Sequence, residues 1–148
     1  MYVLRILLLT LFLGLTTGAA LPTTIPLIET EDLDGTFHWK RIPVLTADTT
    51  EGSPRTAFEH FFRYGCYGVP ENVKVLDVSL LEGLLTVNVS KDILSYGGSA
   101  FERALVEQLT KIAAEIPGTE RFTLTIDGVL RPLIQGTEID RLQLRTCV

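Results

Sequence analysis

Apolar and polar positions alternate along much of the second half of this chain. Val73–Leu80 (VKVLDVSL) sets Leu76, Val78 and Leu80 on one face and Asp77 and Ser79 on the other. Leu81-Glu82-Gly83 reads as a turn. In the next run Leu85, Val87 and Val89 alternate with Thr86, Asn88 and Ser90. Period two is the signature of a strand with one buried face, and two such runs around a short turn predict an antiparallel pair. The period then changes. Phe101, Leu105, Leu109, Ile112, Ala113 and Ile116 recur at helical spacing, which predicts a helix over Ala100–Glu115 closed by Pro117-Gly118. Ser99 and Glu102 have the spacing of a capping box. Phe122, Leu124 and Ile126 resume the strand period up to Asp127-Gly128, a hairpin dipeptide, and Val129–Ile134 reads as a short return strand.

Upstream the signals are shorter. Thr36–Leu45, with Phe37, Trp39 and Ile42, reads as a first strand that Pro43 ends or places at an edge. Ser53-Pro54 is a helix start, and Ala57, Phe58, Phe61 and Phe62 share one helical face before Gly65. Leu21–Gly35 holds two prolines, three threonines and several acids, and reads as a linker. The tail, residues 136–148, is weakly patterned. The expected architecture is an α+β module of two layers. Two helices, Pro54–Tyr64 and Ala100–Glu115, pack on one face of a small, mainly antiparallel sheet of three to five strands. Residues 36–135 form the domain.

The first twenty residues differ from the rest. Arg5 precedes the apolar run Ile6–Leu15, and Thr17, Gly18, Ala19 and Ala20 are small. This is the pattern of a secretory signal peptide cut after Ala20. The apolar run is shorter than the roughly 20 residues a membrane span needs. The expected location is therefore extracellular or in the cell envelope, with membrane contact only through an uncleaved leader. A net charge of −5 disfavours nucleic acid, whose phosphates call for a basic surface. Export permits a disulfide between the only cysteines, Cys66 and Cys147. Closing that loop would add at most about 4–5 kcal/mol in the chain-entropy picture. Two unpaired thiols are the alternative.

Candidate chemistry is sparse. His38 and His60 lack metal-ligand spacing, and no Gly-x-Ser-x-Gly nucleophile turn occurs. An enzyme would need a cleft gathering both histidines and an acid. Gly97-Gly98-Ser99 precedes a helix and reads as a turn and cap; an anion at the helix N-terminus is the sharper alternative. Phe37, Trp39, Tyr64 and Tyr67 are either core or an aromatic patch for sugar or protein contact. Asn88-Val89-Ser90 fits a glycosylation acceptor, but its place on a strand makes the match a coincidence of sequence.

Several of these segments, taken in order, resemble the GerMN domain family of bacterial envelope proteins, associated with sporulation and spore germination. They are Phe37-His38-Trp39 with Val44-Leu45, Pro54–Phe62, Tyr64-Gly65, the Val73–Asp92 hairpin, Gly97-Gly98-Ser99, the long helix and Thr123–Gly128. The resemblance implies a topology similar to the ring-building modules of secretion systems, which associate side by side. It implies a non-enzymatic secreted or envelope-associated protein without a cofactor, acting as an interaction or assembly module. Its partner would be an envelope protein or a second copy. The alternative is a module that binds a small ligand or the cell wall. In either case Phe37, Trp39, Gly97, Gly98 and Ser99 are the candidate contact residues.

Overall fold

The structure, a computed structural model, describes residues 23–44 and 53–144. The expected leader (residues 1–20) and Cys147 lie outside the described residues. Strands β1 (Thr24–Glu31) and β2 (Phe37–Pro43) precede helix α1 (Pro54–Tyr64). Strands β3 (Val75–Leu81) and β4 (Leu84–Val89) follow, then a 3-10 turn at Lys91–Leu94 and helix α2 (Ser99–Glu115). Strands β5 (Arg121–Ile126) and β6 (Leu142–Gln143) end the domain. The class is α+β, as the periodicity implies, and the strands divide between two sheets. β1 and β2 form an antiparallel hairpin; β3-β4-β5-β6 form a second sheet in that order. The central pair, β4 and β5, is parallel, with α2 as its crossover.

The two-residue turn Glu82-Gly83 has φ of 48° and 75°, the left-handed values that suit a tight hairpin between right-twisted strands. It registers Leu80 against Leu85 and Val78 against Val87. Leu85, Val87 and Val89 on β4 and Phe122 and Ile126 on β5 are fully buried. α1 contributes Phe58 and Phe61, also fully buried, and the Phe58 ring stacks on Phe122 with centroids 6.1 Å apart. Each such side chain removed from water contributes about 1.5–3 kcal/mol. Gly65 is required by space rather than by its φ of −68°: a Cβ there would lie 2.7 Å from the Phe61 carbonyl oxygen.

Six sequence expectations are corrected. Residues 24–31 are not part of a linker but strand β1, whose Ile25, Leu27 and Ile28 are fully buried. Pro26 is tolerated because β1 pairs on one side only. Leu76 is the unpaired residue of a bulge between Val75 and Asp77, which takes it off the expected face and leaves it 42% exposed, and Leu80, near the turn of the edge strand β3, is 39% exposed. Phe101 is 43% exposed, since the buried stripe of α2 begins a turn later, at Ala104 and Leu105. The capping box does not form. Gly98 is the cap, Ser99 makes no side-chain cap bond, and the Glu102 carboxylate accepts the backbone N–H groups of Gln135 and Thr137, at 2.6 and 3.1 Å. Val129–Ile134 gives only an isolated bridge between Ile126 and Val129. The tail supplies β6 instead, and buries Ile139 and Leu144.

Candidate functional site

The hairpin turn, the loop after α1 and the first turns of α2 meet on one surface. Glu31, at the end of β1, has a side chain only 11% exposed, and its carboxylate is bonded from two directions. One oxygen accepts from the Arg103 guanidinium and the other from the Tyr67 hydroxyl. Arg103 also donates to the Gly35 carbonyl at 3.1 Å. The hydrogen bond to Glu31 raises the pKa of Tyr67, because a phenolate there would face a carboxylate. A carboxylate so enclosed is stabilised by charge-assisted bonds stronger than neutral ones. The group therefore ties three chain segments that are far apart in sequence.

Aromatic rings cover this polar knot. The Arg103 guanidinium lies 4.3 Å from the Phe37 ring centroid. Phe37 meets Tyr67 edge-on at 6.3 Å, Tyr67 meets Phe101 at 5.6 Å, and Phe101 meets Tyr96 at 6.3 Å. Burial of the Tyr96 hydroxyl raises its pKa. Gly98 borders the same group: a Cβ built on it would lie 3.6 Å from Phe101. The ridge thus ends in an exposed phenylalanine beside an exposed glycine turn.

The expected contact residues are therefore partly reunited. Phe37 and Gly98 reach one surface through Tyr67 and Phe101. Gly97 and Ser99 flank it and are exposed. Trp39 lies outside this chain of ring contacts, with the Lys111 ammonium 4.6 Å from its ring centroid. Cys66 is exposed after α1, its thiol 3.6 Å from the Tyr64 carbonyl, at a groove of about 880 Å³ lined in part by Phe62, Val69 and Pro70. The histidines have separate neighbours. His38 bonds Asp32 at 2.7 Å, which raises its pKa, and His60 packs on the Tyr64 ring at 5.4 Å. Among the described residues no cluster of three His, Cys, Asp or Glu side chains could hold a metal. Asn88 is used structurally: its Oδ1 accepts the Gly128 N–H at 2.8 Å. Sequence reasoning named Tyr67 as an aromatic-patch residue but missed Glu31 and Arg103, which fix it in place. The one available signal was Asp34-Gly35, a turn dipeptide between two short apolar runs.

The architecture is that of a GerMN domain. It is similar to the first GerMN domain of the sporulation protein GerM from Bacillus subtilis, with a TM-score of 0.61 and 17% identity over 84% of this chain and 98% of that one. It is also similar to the tandem GerMN domains of GerM, with a TM-score of 0.60 and 18% identity over 82% of this chain and 46% of that one. The chain thus spans about half of the tandem. At such identities the likeness concerns the fold. The family rests on sequence: residues 34–131 match the Germane family, described as sporulation and spore germination, and the chain belongs to it. No curated protein matches it in sequence.

Proposed function

We propose that this chain is an exported, non-catalytic interaction module acting in sporulation or germination, and that it docks an envelope protein through the ridge around Phe101. The observation that carries this reading is an exposed aromatic side chain on a surface braced from beneath. Phe101 is 43% exposed, while Glu31 pins the segments that support it. Rigid aromatic groups beside arginine are enriched where proteins meet, since they bury much area at small entropic cost. The separate engagements of His38 and His60 support a role without catalysis. The apolar leader supports export. The wall-binding alternative is less well supported, because Lys111 covers the indole face that a sugar would stack on.

The test places a photo-crosslinking phenylalanine analogue at position 101 and, as a control, at exposed position 138 in cells expressing the chain. A discrete protein adduct at 101 and none at 138 is expected, and Phe101→Ser should leave the chain folded, with a stability loss of no more than about 2 kcal/mol. If 101 and 138 give the same pattern, the ridge is not a docking surface. Co-sedimentation with cell-wall fragments that Phe101→Ser abolishes would replace the protein partner with wall polymer.

A further inference from the structure

The free edges of the two sheets are unequal. An edge strand shows unpaired N–H and C=O groups to any extended chain, and proteins blunt such edges with proline, lysine, bulges or short length. β1 carries Pro26 and a register shift between Ile28 and Thr30. β2 carries Lys40, Arg41 and Pro43. β6 is two residues long. β3 has a bulge only at its start, between Val75 and Asp77, where Arg55 donates to the Val75 carbonyl at 2.8 Å. From Asp77 to Leu81 there is no proline, lysine or arginine. Among the described residues this is the one unguarded edge; it carries the exposed Leu80 and Leu81 and follows the exposed Leu76.

We propose that this edge pairs antiparallel with the same strand of a second copy, with Ser79 on the twofold axis. The proposal deepens the interaction-module reading and rests on it. The two-residue turn makes Leu81 and Leu84 a hydrogen-bonded pair. Asp77, Ser79 and Leu81 therefore turn their backbone groups toward β4, whereas Val78 and Leu80 turn theirs outward. The midpoint of the free stretch is Ser79. A twofold axis there sets Val78 against Leu80 of the second copy, so that each pair exchanges two hydrogen bonds. It also brings these four apolar side chains together on the helix side of the sheet.

Charge favours a second copy as the occupant. The free stretch carries one charge, Asp77, and this register sets it against Leu81 of the second copy. The two Asp77 carboxylates then stand about 13 Å apart along the strands, beyond the Debye length of about 8 Å at physiological salt. Leu76 falls opposite Glu82 of the second copy, at the end of the strand where Arg55 lies, already paired with Glu59 at 2.7 Å. A footprint of five residues per strand is at the small end for specific interfaces, so the pairing is expected to be weak and concentration-dependent.

The test uses the full chain, produced in cells, with Cys66 and Cys147 replaced by serine and Ser79→Cys introduced. Across the axis the two Cα atoms would be about 4.5 Å apart, within disulfide range. Mild copper-catalysed air oxidation joins the two thiols with loss of two hydrogens. A reducible band of twice the mass is expected, absent for Thr125→Cys. Adding Val78→Pro removes an outward N–H at an edge position, where proline is tolerated. It should lower the dimer yield at least about tenfold, in line with two lost hydrogen bonds. Leu80→Lys serves the same purpose should the proline variant unfold. Absence of the dimer, or a dimer that persists in both edge variants, overturns the proposal. A cross-link to a protein of different mass assigns the edge to a foreign strand and also overturns it. If position 101 still captures a partner in any of these cases, the interaction-module reading stands without this interface.

Discussion

The hairpin β1–β2 and the four-stranded sheet are both antiparallel at their outer pairs, yet they are held in place by different means. The sheet is fixed by apolar side chains: Phe58 stacks on Phe122, and Phe61, Leu85 and Val87 lie in the same buried cluster. The hairpin also buries Ile25, Leu27 and Ile28, but much of its attachment to α2 is polar. The Ile28 N–H donates to the buried Gln108 Oε1 at 2.7 Å, and Gln108 Nε2 donates to the Tyr67 and Ala104 carbonyls. Arg41 grips Glu115 through two nitrogens, at 2.9 and 2.6 Å. Arg103 and Lys111 lie over Phe37 and Trp39. Apolar packing has no charge to titrate or to screen, whereas exposed charge pairs are screened. The lesson is that one domain can contain a part whose attachment depends on conditions beside a part whose packing does not.

The largest expected effect tests the sheet. Phe122→Ala removes the ring beneath Phe58 and should cost about 3–5 kcal/mol, read as a lower urea midpoint for the whole domain. A loss below about 1 kcal/mol would mean that the stacked pair is not central to the core.

The next effect is local to the hairpin. Gln108→Ala leaves the Ile28 N–H without its partner and should cost about 1–3 kcal/mol. The loss should show first as faster amide exchange in Thr24–Pro43, with exchange in β4 and β5 less affected. Equal acceleration in both regions would show that they open as one unit.

The smallest effect is a matter of pH. The hydrogen bond to Asp32 raises the pKa of His38 above its ordinary 6.5. A group whose folded pKa is raised contributes stability that is fully present below the unfolded value and is lost as pH rises through the folded one. The stability gap between wild type and Asp32→Asn should therefore narrow as pH climbs past 6.5, with the His38 midpoint moving back toward that value in the variant. A midpoint that ignores Asp32 would remove the pair from the account.

The sheet was largely legible in the sequence, because Leu85, Val87 and Val89 on β4, Phe122, Leu124 and Ile126 on β5 and the stripe of α1 are all buried at the expected spacing. α1 begins at Pro54 and ends at Tyr64, as its cap and stripe imply. β1 was not legible, since Pro26 and the acids between Glu29 and Asp34 have the composition of a linker. Only the alternation of Ile25 and Leu27 before Asp34-Gly35 marked it. The candidate site was legible in fragments. Phe37 and Gly98 carry local signals, but the contacts that bring them together run through Glu31, Tyr67 and Arg103, whose pairing depends on the tertiary fold. Phe101 misled because a helical stripe gives direction and not depth: the same face that buries Leu105 overhangs solvent one turn earlier.

The grip of Glu102 on the N–H groups of Gln135 and Thr137 bears on the order in which the chain can be completed. Glu102 is 3% exposed, and its partners lie more than thirty positions further on. During synthesis α2 emerges well before the segment that donates to its carboxylate. Until residue 137 is free, closing the domain would enclose a carboxylate with too few donors, which is costly. The loop at 135–137 is thus what permits the start of α2 to close, and a fragment cut at residue 131 should remain loose there.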